Sequence, residues 1–354
     1  MKKLFQIFWL SALLLIGSCG TDVTPTFNIP EEDHTASTPM LRVVEEFDAI
    51  VVFRYGQSNQ AGFVVDDSLQ TPYLTLDSNI VFWNGSSFLP MDKDHNEYPA
   101  ENDKFAAEFS FAWKLRAATG KKIYIVKHAV GSTSMNANWK VGASLFNNSK
   151  TTLTNALAAI SDSYILVGMM NQGEGDCGNT TLSNAYQNLY SAHLSNLRTA
   201  FSFNYYICTL TDPNLPFPTN YAAKIRASQI NVINATADTS ITYVDTQMFR
   251  VLFDSTSTGT GSTTLTDANQ SWTTNQWTNC ALNIIVSGQI TTSPIRKKIG
   301  SNTGTVITLN TAWSPTPASV SDYQIAYTNL HFSATQIDSL GAMEFRTLYR
   351  MIYP

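Results

Sequence analysis

The sequence predicts an α/β fold, in which helices cover both faces of a mostly parallel sheet, with a small all-β module inserted near the C-terminus. Short apolar, β-branched runs alternate with amphipathic helical segments, the pattern of parallel sheets. From residue 255 to 327 the sequence becomes rich in Thr, Ser and Gly, with short alternating runs. A chain of 354 residues can bury one large core and a smaller appended one.

Five apolar runs predict the strands of the main sheet, and helical spacing predicts the segments that connect them. The predicted strands are Ala49–Phe53, Lys122–Lys127, Tyr164–Met170, Asn204–Leu210 and Ile241–Asp245. The predicted helices are Ala106–Ala118, Thr151–Ile160, Leu182–Phe201, Asn220–Ala235 and about Ser333–Met351. A turn at Asn84-Gly85 predicts a hairpin over Asn79–Pro90. On the Leu182–Phe201 helix we expect His193 on the exposed side.

The inserted module has three clear alternating runs, at Ala281–Val286, Ile295–Ile299 and Thr305–Leu309. Three tryptophans lie among these runs: Trp272, Trp277 and Trp313. We expect them to fill a small core, with stacking on sugar rings as the alternative.

The N-terminus has the form of a processed export signal. Residues 1–19 start with Met1 and two lysines, continue as an apolar run and end with small residues before Cys19, which resembles the bacterial lipoprotein processing site. Residues 20–46 form a predicted flexible tether. The expected product is an extracytoplasmic lipoprotein, on the periplasmic side or the cell surface, that contacts the membrane only through a lipid on Cys19. An ordinary secretory signal or a short membrane anchor is the alternative.

The net charge limits the expected binding partners, and the cysteine content limits the possible disulfides. A net charge of −5 and the absence of a basic stripe exclude nucleic acid as an expected partner. With Cys19 assigned to lipid, Cys177, Cys208 and Cys280 remain, and three thiols cannot all pair. A Cys177–Cys208 disulfide and buried free thiols are both open.

Four polar blocks follow predicted strands or precede the last helix: Gly56–Asn59, Gly131–Ser134, Asn171–Glu174 and Asn329–Ser333. A serine after a strand often only caps a helix, which is the simplest interpretation of Ser58. However, parallel strands bring their carboxyl ends to one edge of a sheet, where α/β folds bind ligands. The four blocks together therefore predict a site.

In order and spacing these blocks resemble the SGNH hydrolases, and more narrowly their sialate O-acetylesterase-like branch, which includes acetylxylan esterases. The resemblance covers Asp48–Ser255 and Thr328–Arg350. It implies a flavodoxin-like three-layer α/β/α sandwich that removes O-acetyl groups from an acetylated glycan, without metal or cofactor. The hydrolase domain would comprise residues 47–254 and 328–354, separated by the β-module at residues 255–327.

The resemblance also implies the catalytic roles. Ser58 is the expected nucleophile and His331 the base. The expected oxyanion hole consists of the backbone N–H groups of Ser58 and Gly131 and the side-chain amide of Gln172. Ester cleavage needs these three functions: a nucleophile, a proton acceptor and donors for the developing negative charge.

The acid that orients the histidine departs from the family pattern. The family has an aspartate three residues before the histidine, where this chain has Thr328. Glu174 is the first candidate to replace it. Asp254 is the second, because the insertion would have separated it from His331.

Substrate contacts are predicted for Gln57, Asn59 and Trp139, the last with a core role as its alternative. We expect His128 to pack or hydrogen-bond beneath the site. No histidine or cysteine group has zinc-ligand spacing, and the sequence has no phosphate-binding glycine loop. Two other functions remain open: a catalytically inactive glycan-binding or adhesion lipoprotein, and a general ester or lipid hydrolase.

Overall fold

The structure is a computed structural model. It describes residues 47–62, 64–65, 72–73, 75, 77–92, 104–213, 215, 221–247, 251–285, 295–326 and 331–354. The predicted signal, the tether, Cys19 and Thr328 lie outside these ranges. The described helices are α1 (Ser58–Ala61), α2 (Glu108–Thr119), α3 (Ser144–Ala158), α4 (Thr180–Ala200), α5 (Tyr221–Ala235) and α6 (Ala334–Ile352).

The described strands form two large sheets and one short pair. In chain order they are β1 (Ala49–Gly56), β2 (Val64–Val65), β3 (Ile80–Trp83), β4 (Phe88–Pro90), β5 (Lys104–Phe105), β6 (Lys122–Ala129), β7 (Tyr164–Asn171), β8 (Tyr205–Thr209), β9 (Ile241–Val244), β10 (Val251–Thr256), β11 (Gly259–Thr260), β12 (Thr264–Thr266), β13 (Ala281–Ile285), β14 (Ile295–Asn302), β15 (Val306–Leu309) and β16 (Asp322–Ala326).

The first sheet has the order β4-β3-β6-β1-β7-β8-β9. All its neighbours are parallel except β3 and β4, which form the predicted antiparallel hairpin at one edge. The strands from β6 to β9 follow the flavodoxin-like order, in which the first strand lies inside the sheet. The chain therefore reverses its direction across the sheet beside β1, the point where such folds bind ligands.

Helices cover both faces of this sheet, as the sequence predicts. Along β1, Val51, Phe53 and Tyr55 join a core formed with α3, α4 and α5, whereas Ile50 and Val52 join a second core formed with α2 and α6. The period of two along the strand separates these two sets of side chains. The fold is thus a three-layer α/β/α sandwich, and the predicted fold class is confirmed.

The second sheet is antiparallel and has the order β10-β16-β13-β14-β15-β12-β11. It encloses its own apolar core, and Trp272, Trp277 and Trp313 are all buried in it. Its first strand starts at Val251 and its last ends at Ala326. The module boundaries at residues 255 and 327 stay predictions.

One detail of the main core differs from the expectation drawn from the sequence, and one alternative that the sequence left open is decided. His193, predicted to be exposed, is fully buried. Its Nδ1 lies 2.7 Å from the carbonyl oxygen of Trp139 and its Nε2 lies 3.3 Å from the hydroxyl of Tyr55. Cys177 and Cys208 are buried free thiols, so the option of a disulfide between them is wrong.

Two buried histidines predict that stability falls in mild acid. Burial lowers the pKa of His128 and of His193 from 6.5 to about 4. Between these values the unfolded chain binds protons that the folded chain does not, so the free energy of unfolding falls as pH decreases from about 6.5 to about 4. Each group contributes up to about 1.4 kcal/mol per pH unit.

Urea unfolding at several pH values tests this prediction. His128→Asn should flatten the dependence on pH by the contribution of one group. An equally steep dependence in this variant would contradict the assignment.

None of the helices in the described ranges combines the length and the hydropathy needed to cross a membrane.

Candidate active site

The candidate nucleophile lies at the sharp turn that ends β1. Gly56 has φ +141°, and a Cβ there would lie 2.0 Å from the carbonyl oxygen of Asn171, so only glycine fits. Gln57 remains extended, and Ser58 begins the short helix α1. Because β1 lies between β6 and β7, Ser58 is placed at the carboxyl edge of the sheet, beside the point where the chain reverses direction.

The histidine from the end of the chain reaches this serine. His331 Nε2 lies 3.0 Å from Ser58 Oγ, although 273 residues separate the two in sequence. Two residues later, Ser333 caps α6: its hydroxyl accepts from the N–H of Gln336, and the Gln336 side chain accepts from the N–H of Ser333. This capping box fixes the start of α6. It thereby fixes the position from which His331 reaches Ser58.

The turn that carries Ser58 is hydrogen-bonded to segments within or directly next to the other three blocks. The Gly56 carbonyl accepts from Val130 N–H at 3.0 Å, and Gln57 N–H donates to the Asn171 carbonyl at 3.0 Å. Asn59 donates to Glu174 Oε1 at 2.8 Å, and its oxygen accepts from the N–H of Phe332 at 3.2 Å. Four distant segments therefore converge on one turn.

The predicted substrate contacts of Gln57 and Asn59 stay predictions, and the structure shows what these two side chains contact inside the protein. Both side chains are buried. Gln57 Oε1 accepts from Gly175 N–H at 3.1 Å, and Asn59 links Glu174 to the backbone next to His331. Both amides hold the site together from inside the protein.

Asp176 is a residue of the site that the sequence patterns did not single out. Its carboxylate accepts from Met135 N–H at 2.7 Å, from Asn136 N–H at 3.3 Å and from Gln172 Nε2 at 2.7 Å. Burial raises its pKa, against the effect of these three bonds. It ties the loop after β6 to the block after β7. Its position four residues after Gln172 is the sequence feature from which a contact between the two side chains could have been predicted.

The expected oxyanion residues lie on these two joined loops. Gly131 follows β6, and Gln172 follows β7 and is 1% exposed. A Cβ on Gly175 would lie 2.1 Å from the carbonyl oxygen of Thr133, so glycine permits the close contact of the loops. Their roles toward an oxyanion stay predictions.

Trp139 does not lie on the surface. It is fully buried in the main core, and its Nε1 donates to Thr133 Oγ1 at 2.9 Å. Its predicted stacking on a sugar is therefore wrong, and its alternative core role is correct. His128, predicted to lie beneath the site, is buried at the end of β6 with Nδ1 3.2 Å from Thr152 Oγ1.

The two candidate acids lie in different places. Glu174 is buried and is joined to the histidine segment through Asn59. Asp254 is exposed on β10 of the second sheet, opposite Gln324, and within the described residues it makes no hydrogen bond to His331. Position 328 lies outside the described residues.

No group of three or more His, Cys, Asp or Glu residues suited to a metal ion occurs in the part of the chain that the structure describes. The reactive groups of the site are the Ser58 hydroxyl and the His331 imidazole bonded to it, with amide groups around them.

The three-layer fold, with a serine hydroxyl bonded to an imidazole at the carboxyl edge of a parallel sheet, defines the class of SGNH-type hydrolases. The chain belongs to the family described as carbohydrate esterase, sialic acid-specific acetylesterase, whose profile matches residues 49–266. The matched range contains Ser58 and Glu174 and ends before His331.

Several solved structures are similar at low identity. A protein from Arabidopsis thaliana is 17% identical, with 57% of this chain and 86% of that chain covered and a TM-score of 0.47. A carbohydrate acetylesterase from Xanthomonas citri is 14% identical, with 77% and 78% covered and a TM-score of 0.40. A carbohydrate esterase family 2 enzyme with a carbohydrate-binding domain from Corynascus thermopiles (Myceliophthora fergusii) is 10% identical, with 86% and 67% covered and a TM-score of 0.38. A search of curated proteins finds no match.

Proposed function

We propose that this protein is a serine esterase that removes O-acetyl groups from a carbohydrate. The observation that carries the proposal is the 3.0 Å contact between Ser58 Oγ and His331 Nε2 at the carboxyl edge of the sheet. Membership of a carbohydrate esterase family supports the substrate class. Within that class, acetylated sialic acid and acetylated xylan are the two candidates.

In the proposed reaction, Ser58 Oγ attacks the acetyl carbon while His331 Nε2 accepts its proton. The tetrahedral intermediate then breaks the bond to the sugar oxygen, which leaves as an alcohol with the proton from His331. Water, deprotonated by the same imidazole, attacks the acetyl group on Ser58 and releases acetate. The serine recovers its proton, and no other reactant is consumed.

The surrounding groups have proposed roles in stabilising charge. The N–H groups of Ser58 and Gly131 would donate to the carbonyl oxygen as it becomes negative, together with the amide of Gln172. Glu174 is the proposed acid, placed by its bond to Asn59 next to the segment that carries His331. Asp254, exposed on the second sheet, is the weaker candidate for this role.

The test is acetate release from a panel of substrates: acetylated xylan, acetylated sialic acid and esters with longer acyl chains. The proposal expects release from at least one acetylated glycan, faster than from the longer acyl esters, and none with Ser58→Ala. Preference for long acyl chains would instead identify a general ester or lipid hydrolase. Binding of a glycan without any release would identify an inactive glycan-binding protein.

We also propose that the enzyme acts outside the cytoplasm as a lipoprotein, because small residues precede Cys19 after a basic and apolar start. Cells that express the protein and are fed an alkyne-labelled fatty acid should label the wild type but not Cys19→Ser. Equal labelling of both proteins would refute the anchor.

A further inference from the structure

Ser132, in the turn that follows β6, has a left-handed backbone with φ +58°. This conformation is uncommon for residues other than glycine, asparagine and aspartate, because the Cβ atom comes close to the following carbonyl oxygen. Turns that need it usually contain glycine, which adopts it without strain. Strained residues of this kind persist mainly at functional sites. The serine at this position therefore indicates that its side chain has a use.

The turn that carries Ser132 begins next to the nucleophile turn. β6 and β1 are parallel neighbours in which Ala129 pairs with Gly56, so both strands end at the same edge of the sheet. One residue further along the chain, Val130 N–H donates to the Gly56 carbonyl at 3.0 Å. Ser132 follows Val130 by two residues, as Ser58 follows Gly56 by two. The two serines thus diverge from one hydrogen bond at the carboxyl edge.

The end of the turn is fixed as well. Gly175 lies against the Thr133 carbonyl, where a Cβ atom would be only 2.1 Å from the oxygen. The N–H of Gly175 donates to Gln57 Oε1 at 3.1 Å, and Gln57 is the residue before the nucleophile. The Thr133 hydroxyl donates back across the turn to the Val130 carbonyl at 2.7 Å. Ser132 is therefore held at the rim of the site by bonds on both sides of it.

Ser132 itself is exposed, whereas Thr133 beside it is buried. Within the part of the chain that the structure describes, the Ser132 hydroxyl makes no hydrogen bond, so it is available to a ligand. An acetyl group attacked by Ser58 lies at this edge of the sheet, and the sugar that carries it must extend outward from there. The exposed rim beside the nucleophile turn is thus the surface that the sugar meets.

We propose that Ser132 is a specificity-determining residue, whose hydroxyl forms a hydrogen bond with a ring hydroxyl of the sugar that carries the acetyl group. This inference rests on the proposed esterase function. A serine hydroxyl both donates and accepts, as sugar hydroxyls do, so the two can pair in either direction. The short, bonded turn holds Ser132 in place beforehand, so little freedom is lost when the sugar binds. The contact is the same before and during attack on the ester, so it contributes to KM rather than to kcat.

The test compares hydrolysis of nitrophenyl acetate, which has no sugar, with acetate release from acetylated xylan and acetylated sialic acid. Ser132→Ala keeps the Cβ atom and removes only the hydroxyl. For the glycan that the wild type cleaves faster, we expect KM to rise about 3- to 10-fold, the contribution of one uncharged hydrogen bond. Both kinetic constants for nitrophenyl acetate should stay unchanged.

Ser132→Gly is a second variant, and Ala237→Gly is its matched control. Ala237 also has a left-handed backbone, with φ +49°, and is exposed. It precedes β9 and so lies at the edge of the sheet opposite the site. Each substitution by glycine removes the same kind of strain, so the two should change the unfolding midpoint equally. Only Ser132→Gly should raise KM for the glycan.

The outcomes separate this inference from the proposed function. If Ser132→Ala and Ser132→Gly leave KM for the glycan unchanged while Ser58→Ala is inactive, the role of Ser132 is overturned and the esterase function stands. Equal losses on the glycan and on nitrophenyl acetate would also overturn it, because the sugar would then not be what Ser132 contacts. If the wild type releases no acetate from any ester, both are overturned.

Discussion

His331→Ala and Ser58→Ala should each lower kcat for an acetate ester by about 10⁴- to 10⁶-fold, the loss seen when one member of such a catalytic unit is removed. Without the imidazole, Ser58 has no group to take its proton at the 3.0 Å position. Without the hydroxyl, the imidazole has no nucleophile to activate. The measurement is steady-state hydrolysis of a chromogenic acetate ester.

Because the two residues act as a unit, the double variant should be no slower than either single variant. Ser87→Ala, in the exposed turn of the β3–β4 hairpin, is the matched control and should keep full activity. Additive losses in the double variant would mean that Ser58 and His331 act in separate steps, which contradicts proton transfer from one to the other.

The largest expected effect on stability comes from four buried charges beneath the site, which we name the charge cluster: Arg54, Glu108, Lys127 and Glu344. Arg54 Nη1 lies 2.9 Å from Glu344 Oε2, and Lys127 Nζ lies 3.0 Å from Glu108 Oε1. All four side chains are almost fully buried. Burial acts to raise the pKa of Glu108, but Lys127 and Arg54 outweigh it and lower that pKa.

Glu344→Leu should lower the free energy of unfolding by about 3–5 kcal/mol, because it leaves the Arg54 guanidinium buried without its nearest partner. Arg54→Met combined with Glu344→Leu should cost less than Glu344→Leu alone, since it removes both charges together. Urea unfolding near neutral pH measures both variants.

The control is the pair Lys122–Asp162, 3.5 Å apart with each side chain about a third exposed. Lys122→Met should cost less than about 1 kcal/mol, the usual value for a surface pair. A cost for Glu344→Leu that is no larger than this would show that the charge cluster does not hold the fold together.

The charge cluster also connects the segments that form the site. Arg54 lies on β1, which ends just before Ser58, and Lys127 lies on β6, which ends just before Gly131. Glu344 lies on α6, which begins just after His331. Thr209 of β8 donates to Glu344 Oε1 at 3.2 Å. The distance between Ser58 and His331 therefore depends on how α6 is fixed against the sheet.

The strands of the first sheet can be predicted from the sequence because they are buried on both faces. Continuous apolar runs then mark them directly, and β6 and β7 begin at the predicted residues Lys122 and Tyr164. The blocks at their ends can be located for the same reason. The strands β10 and β16 are not apparent from the sequence, because polar residues interrupt or end their apolar runs: β10 reads Val-Leu-Phe-Asp-Ser-Thr and β16 reads Asp-Tyr-Gln-Ile-Ala.

The charge cluster could not be predicted from local sequence. Arg54 interrupts the apolar run of β1, so the sequence suggests that the strand ends there. In the structure Glu108 of α2 and Glu344 of α6 pair with the buried Arg54, and the strand continues to Gly56. The burial of His193 could have been predicted. It lies three residues after Tyr190 and four before Leu197, which places it on the apolar face of α4.

Reaction of the protein with a fluorophosphonate, followed by peptide mass spectrometry, tests the activation of Ser58 by His331 most directly. This reagent needs a serine oxygen that an adjacent base has activated. We predict a single adduct on the peptide that contains Ser58, absent in Ser58→Ala and much slower to form in His331→Ala. No adduct in the wild type, or an adduct on another serine at an equal rate in His331→Ala, would contradict that activation.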